Sequence, residues 1–150
     1  MQLIIIFLLI NNLTSAQSQD YKLMRDSLSK LSCEPVDSAT FYQAKVNMET
    51  FDTNLISKSI QLYYRDLAWC YYRIYMKTEN LEYIKAAIGM FEKALPHKSD
   101  YTAVLWDISF CHYILGNCKE SKFYLKRYKK ITPKKYWDKT LLSQMLKKCK

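Results

Sequence analysis

Glycine and proline are scarce in this sequence, with two and three copies among 150 residues. Tight hairpins, sheet bulges and phosphate-binding loops need glycine at fixed positions, so this shortage argues against β-rich folds and glycine-rich nucleotide sites. Histidine is scarce too, and neither His97 nor His112 has a second histidine, cysteine or carboxylate at the spacing of metal ligands. We therefore predict a protein that is not an enzyme and that has no catalytic residue, no metal site and no cofactor.

The sequence is instead rich in long stretches of Leu, Lys, Tyr, Ile and Ala whose apolar residues recur with the period of an α-helix. Asn54, Pro96, Gly116 and Pro133 interrupt these stretches, as residues at helix ends do. The pattern predicts helices at 20–32, 38–51, 55–77, 79–95, 100–115, 117–131 and 134–149. Because the connections are short, neighbouring helices should run antiparallel, and the predicted fold class is all-α.

The first 16 residues, MQLIIIFLLINNLTSA, have the apolar centre and the small-residue exit of a secretory signal peptide. The apolar run from Leu3 to Ile10 is shorter than the about 20 residues that a membrane-spanning helix needs. We therefore expect cleavage after Ala16 and an exported chain, either periplasmic or secreted. The alternative, an amino terminus that is not a signal, stays open because no Lys or Arg precedes the apolar run.

Five cysteines are an odd number, so at least one thiol should stay free or pair between chains. Cys70 and Cys111 fall on predicted helix faces beside aromatic residues, where we expect them to act as small apolar side chains. Cys111 and Cys118 flank a short turn between helices and are the best candidates for a disulfide. Export would place them in an environment where disulfides persist.

Two segments of the second half resemble the tetratricopeptide repeat (TPR). In DISFCHYILGNCKESKFYLKRYKKITP, Ile108 and Ser109 stand where the family has Leu-Gly, Leu115-Gly116 stand at the turn, and Pro133 closes the unit. An earlier copy, YRDLAWCYYRIYMKTENLEYIKAAIGMFEKAL, begins at Tyr64. The second helices carry residues at the family's small-large-small spacing, namely Ala87, Phe91 and Ala94 in the earlier copy and Ser121, Leu125 and Tyr128 in the later one.

The sequence also departs from the family pattern. The two copies lie 41 residues apart, from Leu67 to Ile108, whereas the family repeat is about 34 residues long. Ser99 stands where a closing proline is expected, and His112 stands in place of an aromatic residue. Tyr128 occupies a position that the family usually gives to Ala, so the packing there should be wider.

The resemblance implies a right-handed α-solenoid of antiparallel, TPR-like helix pairs that ends in a C-terminal capping helix. Small side chains at Ala68, Ala87 and Ser109 should let neighbouring helices approach closely. The predicted divisions of the chain are a signal peptide (1–16), a helical lead-in with at most a degenerate repeat (17–59), two repeats (60–133) and a basic capping helix (134–150).

In this family the first helix of each pair lines a concave groove that binds extended or helical peptides. On these helices, aromatic and Arg residues recur at three- and four-residue spacing, and both types are enriched at binding hot spots. The resemblance therefore implies a partner-binding set of Arg65, Trp69, Tyr72, Arg73, Trp106, Phe110 and Tyr113. Asp107 lies beside this set. The alternative is that neighbouring helices cover these side chains as core.

Positive charge is concentrated at the carboxyl end. Residues 119–150 hold twelve Lys and Arg against Glu120 and Asp138, a net charge of +10, whereas the whole chain carries +9. On a helical wheel the basic residues of 117–131 share one side, which favours a solvated outer face. The alternative is a surface for anionic membranes or envelope polymers, formed by Lys122, Lys126, Lys129 and Lys130.

Phe123 lies within this basic arc and needs cover. The last predicted helix has an apolar stripe of Trp137, Leu141, Met145 and Cys149, at intervals of four residues. We expect this stripe to cover Phe123 and to close the end of the solenoid.

The leading functional hypothesis is a non-enzymatic interaction module or scaffold that binds a peptide or protein segment through the aromatic groove. The second is a basic adaptor at anionic surfaces, and the third is a structural subunit of an envelope assembly. Nucleic acid is a disfavoured partner because the aromatic residues are needed for helix packing and an exported protein meets little nucleic acid. The sequence does not specify an oligomeric state.

Overall fold

A computed structural model of the protein describes Lys22, residues 38–51, Thr53 and residues 60–149. Within these residues the chain is all-helical and contains no strand, which confirms the prediction of an all-α protein. The predicted signal peptide, most of the predicted helix 20–32 and Cys33 lie outside the described residues. The helices are α1 (Ser38–Glu49), α2 (Ile60–Thr78), α3 (Leu81–Ala94), α4 (Thr102–Ile114), α5 (Cys118–Ile131), a 3-10 helix (Lys134–Tyr136) and α6 (Lys139–Lys148).

The chain divides into two compact units, Met1–Ile60 and Gln61–Lys150. In the first unit, Met48 of α1 is buried, and Lys45 and Glu49 on the same helix form an ion pair at 2.8 Å. The candidate site lies wholly in the second unit.

Local sequence signals set the helix ends. The side chain of Asn80 accepts a hydrogen bond from the backbone N–H of Glu82 at 3.0 Å and caps α3. Gly116 has a φ of 77°, and the backbone N–H of Asn117 donates to the carbonyl of His112 at 2.9 Å, which is a glycine-dependent helix end. Three residues thus connect α4 to α5, and the two helices pack side by side in opposite directions.

Small residues bring the helices of the second unit together. Helix α4 packs against α3 and against α5. Ser109 of α4 is fully buried where α4 contacts α5, and its hydroxyl donates to the backbone carbonyl of Ser121 on α5 at 2.9 Å. Ala68 and Ala87 are also fully buried in the core. The prediction that these small side chains allow close helix packing agrees with their burial.

The cysteines pair differently from the prediction. Cys118 forms a disulfide with Cys149, across a Cα–Cα distance of 5.2 Å, and so the predicted pairing of Cys111 with Cys118 is wrong. The physical reason is that Cys111 faces the core on α4, whereas α6 returns its carboxyl end to the start of α5. Cys70 and Cys111 are both buried, as expected for small apolar side chains, and the thiol of Cys111 is free.

The last predicted helix is broken near its start. A 3-10 turn ends at Tyr136, and α6 begins after Asp138, whose carboxylate accepts from the backbone N–H of Leu141 at 2.9 Å. Trp137 lies between them, and its indole N–H donates to the carbonyl of Thr132 at 2.9 Å, which holds it at the end of α5. Phe123 lies nine residues before Thr132, about 13 Å along the helix, and is 58% exposed. The expectation that the last helix covers Phe123 is therefore wrong.

Candidate functional site

A cavity of about 170 Å³ lies among the helices of the second unit. Helices α2 and α4 supply most of its wall, α3 supplies one aromatic side chain, and α6 supplies one aliphatic side chain. The lining residues are Trp69, Tyr72, Phe91, Trp106, Asp107, Phe110, Cys111 and Leu141. The wall is therefore largely aromatic, with one acidic group.

Four of the seven residues predicted for partner binding line this cavity together. Trp69 and Tyr72 on α2 are in edge contact, with ring centres 5.5 Å apart and planes at 77°. The ring of Tyr72 lies 6.4 Å from that of Phe110 on α4. The ring centre of Trp106 lies 5.1 Å from that of Tyr128 on α5. Their arrangement joins the two aromatic rows into one surface, in which the rings are half-buried.

The other three predicted residues lie outside the cavity lining. The Nε of Arg65 donates a hydrogen bond to Oδ1 of Asp66 at 2.8 Å. The Nη1 of Arg65 donates to the hydroxyl of Tyr101 at 2.6 Å. The guanidinium of Arg73 lies over the ring of Trp69 at 5.5 Å from its centre. Arg65 and Arg73 therefore contact other side chains of the protein, and neither lines the cavity.

Tyr113 extends the aromatic row beyond the cavity. Its ring stacks on Phe110 with centres 5.9 Å apart and planes at 22°. The ammonium of Lys148 on α6 lies 4.7 Å from the centre of the Tyr113 ring, within the range of cation–π attraction. The carboxyl-terminal helix thus contacts the row at Tyr113 and the cavity at Leu141.

Asp107 is the charged group of the cavity. Burial raises the pKa of its carboxyl to about 7, while a hydrogen bond from the Trp69 side chain and the positive charge of Arg65 act in the opposite direction. Asp66 stands 41 residues earlier, on α2, and each aspartate makes a polar contact with a side chain of α2. Asp107 is half ionised near neutral pH, so its charge responds to whatever enters the cavity.

Sequence reasoning missed three members of the lining. Phe91 was assigned only to helix packing, Cys111 only to the core, and Leu141 only to the capping stripe. Burial raises the pKa of the Cys111 thiol, so it stays neutral beside Asp107. The apolar stripe at intervals of four residues indicated that Leu141 faces other helices. It did not indicate which surface Leu141 contacts.

The basic face of α5 is open to solvent at three of its four predicted positions. Lys122, Lys126 and Lys130 are exposed, whereas Lys129 is half-buried with its ammonium 5.3 Å from the Trp137 ring centre. Phe123 stands exposed among them, with the guanidinium of Arg127 5.8 Å from its ring centre. Ile131 and Tyr136 add further exposed apolar area, at 40% and 66% exposure.

No family model, curated protein or solved structure matches the chain. In the described residues no helix is both long enough and apolar enough to cross a membrane. The same part of the chain contains no group of three or more His, Cys, Asp or Glu side chains placed to hold a metal ion.

Proposed function

We propose that this protein is a non-enzymatic interaction module that holds a segment of a peptide or protein against the aromatic cavity between α2 and α4. The observation that carries the proposal is that four aromatic side chains from α2 and α4 form one wall, namely Trp69, Tyr72, Trp106 and Phe110. The two resembling segments that supply them are offset by 41 residues in the sequence. A right-handed, TPR-like solenoid over residues 60–133 is part of the same proposal, and the meeting of the two rows supports it.

The physical basis is that aromatic rings bury a large apolar area on binding and lose little side-chain entropy. A Trp or Tyr side chain buries 150–250 Å² when fully covered and has only two side-chain torsions to fix. These rings are half-buried in the free protein, so a ligand segment can remove their remaining surface from water. Aromatic residues in concave, largely preformed pockets are the usual anchors of peptide recognition.

The proposal is tested with a displayed library of random peptides, from which binders to the protein are enriched and their affinities measured by calorimetry. Trp69→Ala/Trp106→Ala removes two of the rings that form the wall of the cavity. The matched control is Phe123→Ala/Tyr136→Ala, which removes two exposed aromatic side chains outside it. Far-ultraviolet circular dichroism and thermal melts verify that each variant is folded.

We expect the enriched peptides to lose at least about tenfold in affinity with Trp69→Ala/Trp106→Ala, since loss of one hot-spot ring costs about 2 kcal/mol or more. The control variant should bind as the natural protein does. Peptides that bind both variants equally would show that the cavity is not the binding site, and a library that yields no binder would count against the proposal itself.

A second candidate function is association with anionic surfaces through α5. The observation that favours it is Phe123, an exposed apolar ring among the exposed Lys122, Lys126 and Lys130. Basic residues that flank exposed apolar side chains on a helix suit the interface of an anionic membrane.

Sedimentation with lipid vesicles tests this candidate. The protein should bind vesicles that contain an anionic lipid and not neutral ones, and binding should fall steeply as salt rises. Lys122→Gln/Lys126→Gln/Lys130→Gln should abolish it, whereas Lys77→Gln/Lys85→Gln/Lys98→Gln, with the same change of charge elsewhere, should not. Equal losses in the two triple variants would mean that only net charge matters.

Export of the protein is also proposed. The disulfide between Cys118 and Cys149 supports it, because such bonds persist mainly in oxidising compartments. Mass spectrometry of the amino terminus of the protein from its native cells tests this directly. A chain that begins at Gln17 is expected, and one that begins at Met1 would contradict the proposal.

A further inference from the structure

The cavity between α2 and α4 combines aromatic walls with a single acidic group. Asp107 is the one carboxyl among its lining residues, and Trp69, Tyr72, Trp106 and Phe110 supply most of the rings. A ring face carries negative charge density and attracts a cation within about 6 Å, and a nearby carboxylate adds a full negative charge. Such a combination recognises ammonium groups better than neutral ones.

Asp107 has no ion-pair partner in the part of the chain that the structure describes. None of the salt bridges there includes it. Arg65, the cation whose field reaches it, is hydrogen-bonded to Asp66 and Tyr101. The carboxyl therefore lacks a contacting counter-charge, and a cation that enters the cavity would supply one.

Cations of the protein itself already lie on rings of the same aromatic row. The guanidinium of Arg73 is 5.5 Å from the centre of the Trp69 ring, and the ammonium of Lys148 is 4.7 Å from that of Tyr113. Both distances fall within the range of cation–π attraction. The faces of these rings are thus placed where positive groups are favourable.

We propose that the cavity binds the ammonium group of a lysine side chain from the partner segment, with its alkyl chain against the rings and its charge beside Asp107. This inference rests on the proposed function and names the chemistry of what that site takes. A cavity of about 170 Å³ is large enough for a four-carbon chain that ends in an ammonium. A neutral chain of the same length would bury the carboxyl further without neutralising it, which is unfavourable.

The charge of Asp107 makes this binding depend on pH. The groups that face it are Arg65 and Tyr72 from α2 and Cys111 from its own helix, while α3 and α6 contribute the uncharged Phe91 and Leu141. Burial raises the pKa of Tyr72 and that of Cys111, so both stay neutral from pH 6 to pH 8. Only Asp107 among these groups changes its charge in that interval.

The test uses the ¹⁵N-labelled protein and follows the indole N–H signals of Trp69 and Trp106 by nuclear magnetic resonance. The probes are N-acetyl-lysine N-methylamide and N-acetyl-norleucine N-methylamide, which have alkyl chains of equal length and differ by the ammonium. Each is titrated at pH 6 and at pH 8, into the natural protein and into Asp107→Asn. The asparagine keeps the shape of the side chain and an acceptor for Trp69.

The lysine probe should bind at least tenfold more tightly than the norleucine probe at pH 8. Its affinity should fall about tenfold from pH 8 to pH 6, because a carboxyl with a pKa of about 7 loses most of its charge over that interval. Asp107→Asn should remove both the preference and the pH dependence. The pH series needs no variant, so it decides the question even if Asp107→Asn does not fold.

Equal binding of the two probes, or a lysine preference that persists in Asp107→Asn, would overturn the inference. The proposed function would survive that result, since a cavity that binds norleucine as well as lysine still accepts a peptide segment. Conversely, enriched peptides that ignore the cavity variants would overturn the proposed function whatever the two probes do.

Discussion

The ring of Tyr72 on α2 lies 6.4 Å from the ring of Phe110 on α4. This contact joins the aromatic row of α2 to that of α4 and makes a single surface of them. The two residues are 38 positions apart in the sequence, so only the packing of α2 beside α4 brings them together. The cavity, its acidic group and its predicted ligand all depend on that packing.

The first prediction concerns the close approach of α4 and α5 at Ser109. Ser109→Val adds volume where the side chain is fully buried, so it should lower the free energy of unfolding by about 1–3 kcal/mol. Ser109→Ala should cost about 1 kcal/mol, through loss of the hydrogen bond to the carbonyl of Ser121. Urea unfolding measures both changes. Ser143→Val on the exposed side of α6 is the control, and a similar loss there would show that helix propensity, not crowding, is responsible.

The second prediction concerns the disulfide. Cys118 and Cys149 are 31 residues apart, and a closed loop of that length restricts the unfolded chain enough to stabilise the fold by about 3–4 kcal/mol. Dithiothreitol should therefore lower the free energy of unfolding by that amount. The variant Cys118→Ser/Cys149→Ser should be equally destabilised and should not respond to dithiothreitol. A further loss in that variant would point to a different bond.

The third prediction concerns Asp107 and pH. Its pKa is about 7 in the folded protein and about 3.9 in an unfolded chain, so between these values the folded state holds the extra proton. Stability should accordingly fall as pH rises from 4 to 7. Asp107→Asn should be more stable than the natural protein at pH 8, by at most about 4 kcal/mol, and the difference should vanish near pH 4. Urea unfolding at pH 4.5, 6 and 8 measures this, with the exposed Asp100→Asn as control. A difference that does not change with pH would contradict the assignment.

The fourth prediction concerns His112, whose effect on the pH dependence of stability is opposite to that of Asp107. The ring is buried and stacks on Tyr124 at 5.6 Å, and neither nitrogen has a hydrogen-bond partner among the described residues. Burial lowers its pKa, against the fields of Glu92 and Glu120, so the unfolded chain takes up the proton first as pH falls below about 6.5. Stability linked to this group is therefore lost on acidification.

His112→Phe keeps the stacked ring and removes the group that takes up a proton. The free energy of unfolding of this variant, relative to that of the natural protein, should therefore be higher at pH 5 than at pH 7.5. Paired urea unfolding curves at the two pH values give the difference, with the exposed His97→Asn as control. If His112→Phe and the natural protein lose the same stability between pH 7.5 and pH 5, the role assigned to His112 is incorrect.

The helices could be predicted from the sequence because their signals are local. Asn80 and Gly116 act within one turn of the helices that they end, and the apolar period identifies the rest. The two aromatic rows could be predicted for the same reason, since helical spacing alone places Trp69 beside Tyr72. The prediction of the last helix failed at Trp137, where a bond to Thr132 outweighs helix propensity.

What the sequence could not predict depends on how α6 returns to the bundle. The position of that helix determines that Cys118 meets Cys149 and that Leu141 reaches the cavity, and no short-range pattern encodes either contact. It also leaves Phe123 exposed. The raised pKa of Asp107 could not be predicted either. It results from burial by residues of α2, α3 and α6, which are distant from Asp107 in the sequence.

Binding of an enriched peptide to Leu141→Trp would show whether the cavity is where a partner segment lies. The larger side chain enters the cavity from α6 and occupies its space, while every predicted binding residue stays in place. We expect the affinity, measured by calorimetry, to fall at least tenfold relative to the natural protein, with Leu146→Trp on the exposed side of α6 as the matched control. An affinity unchanged in Leu141→Trp would contradict the assignment of the site.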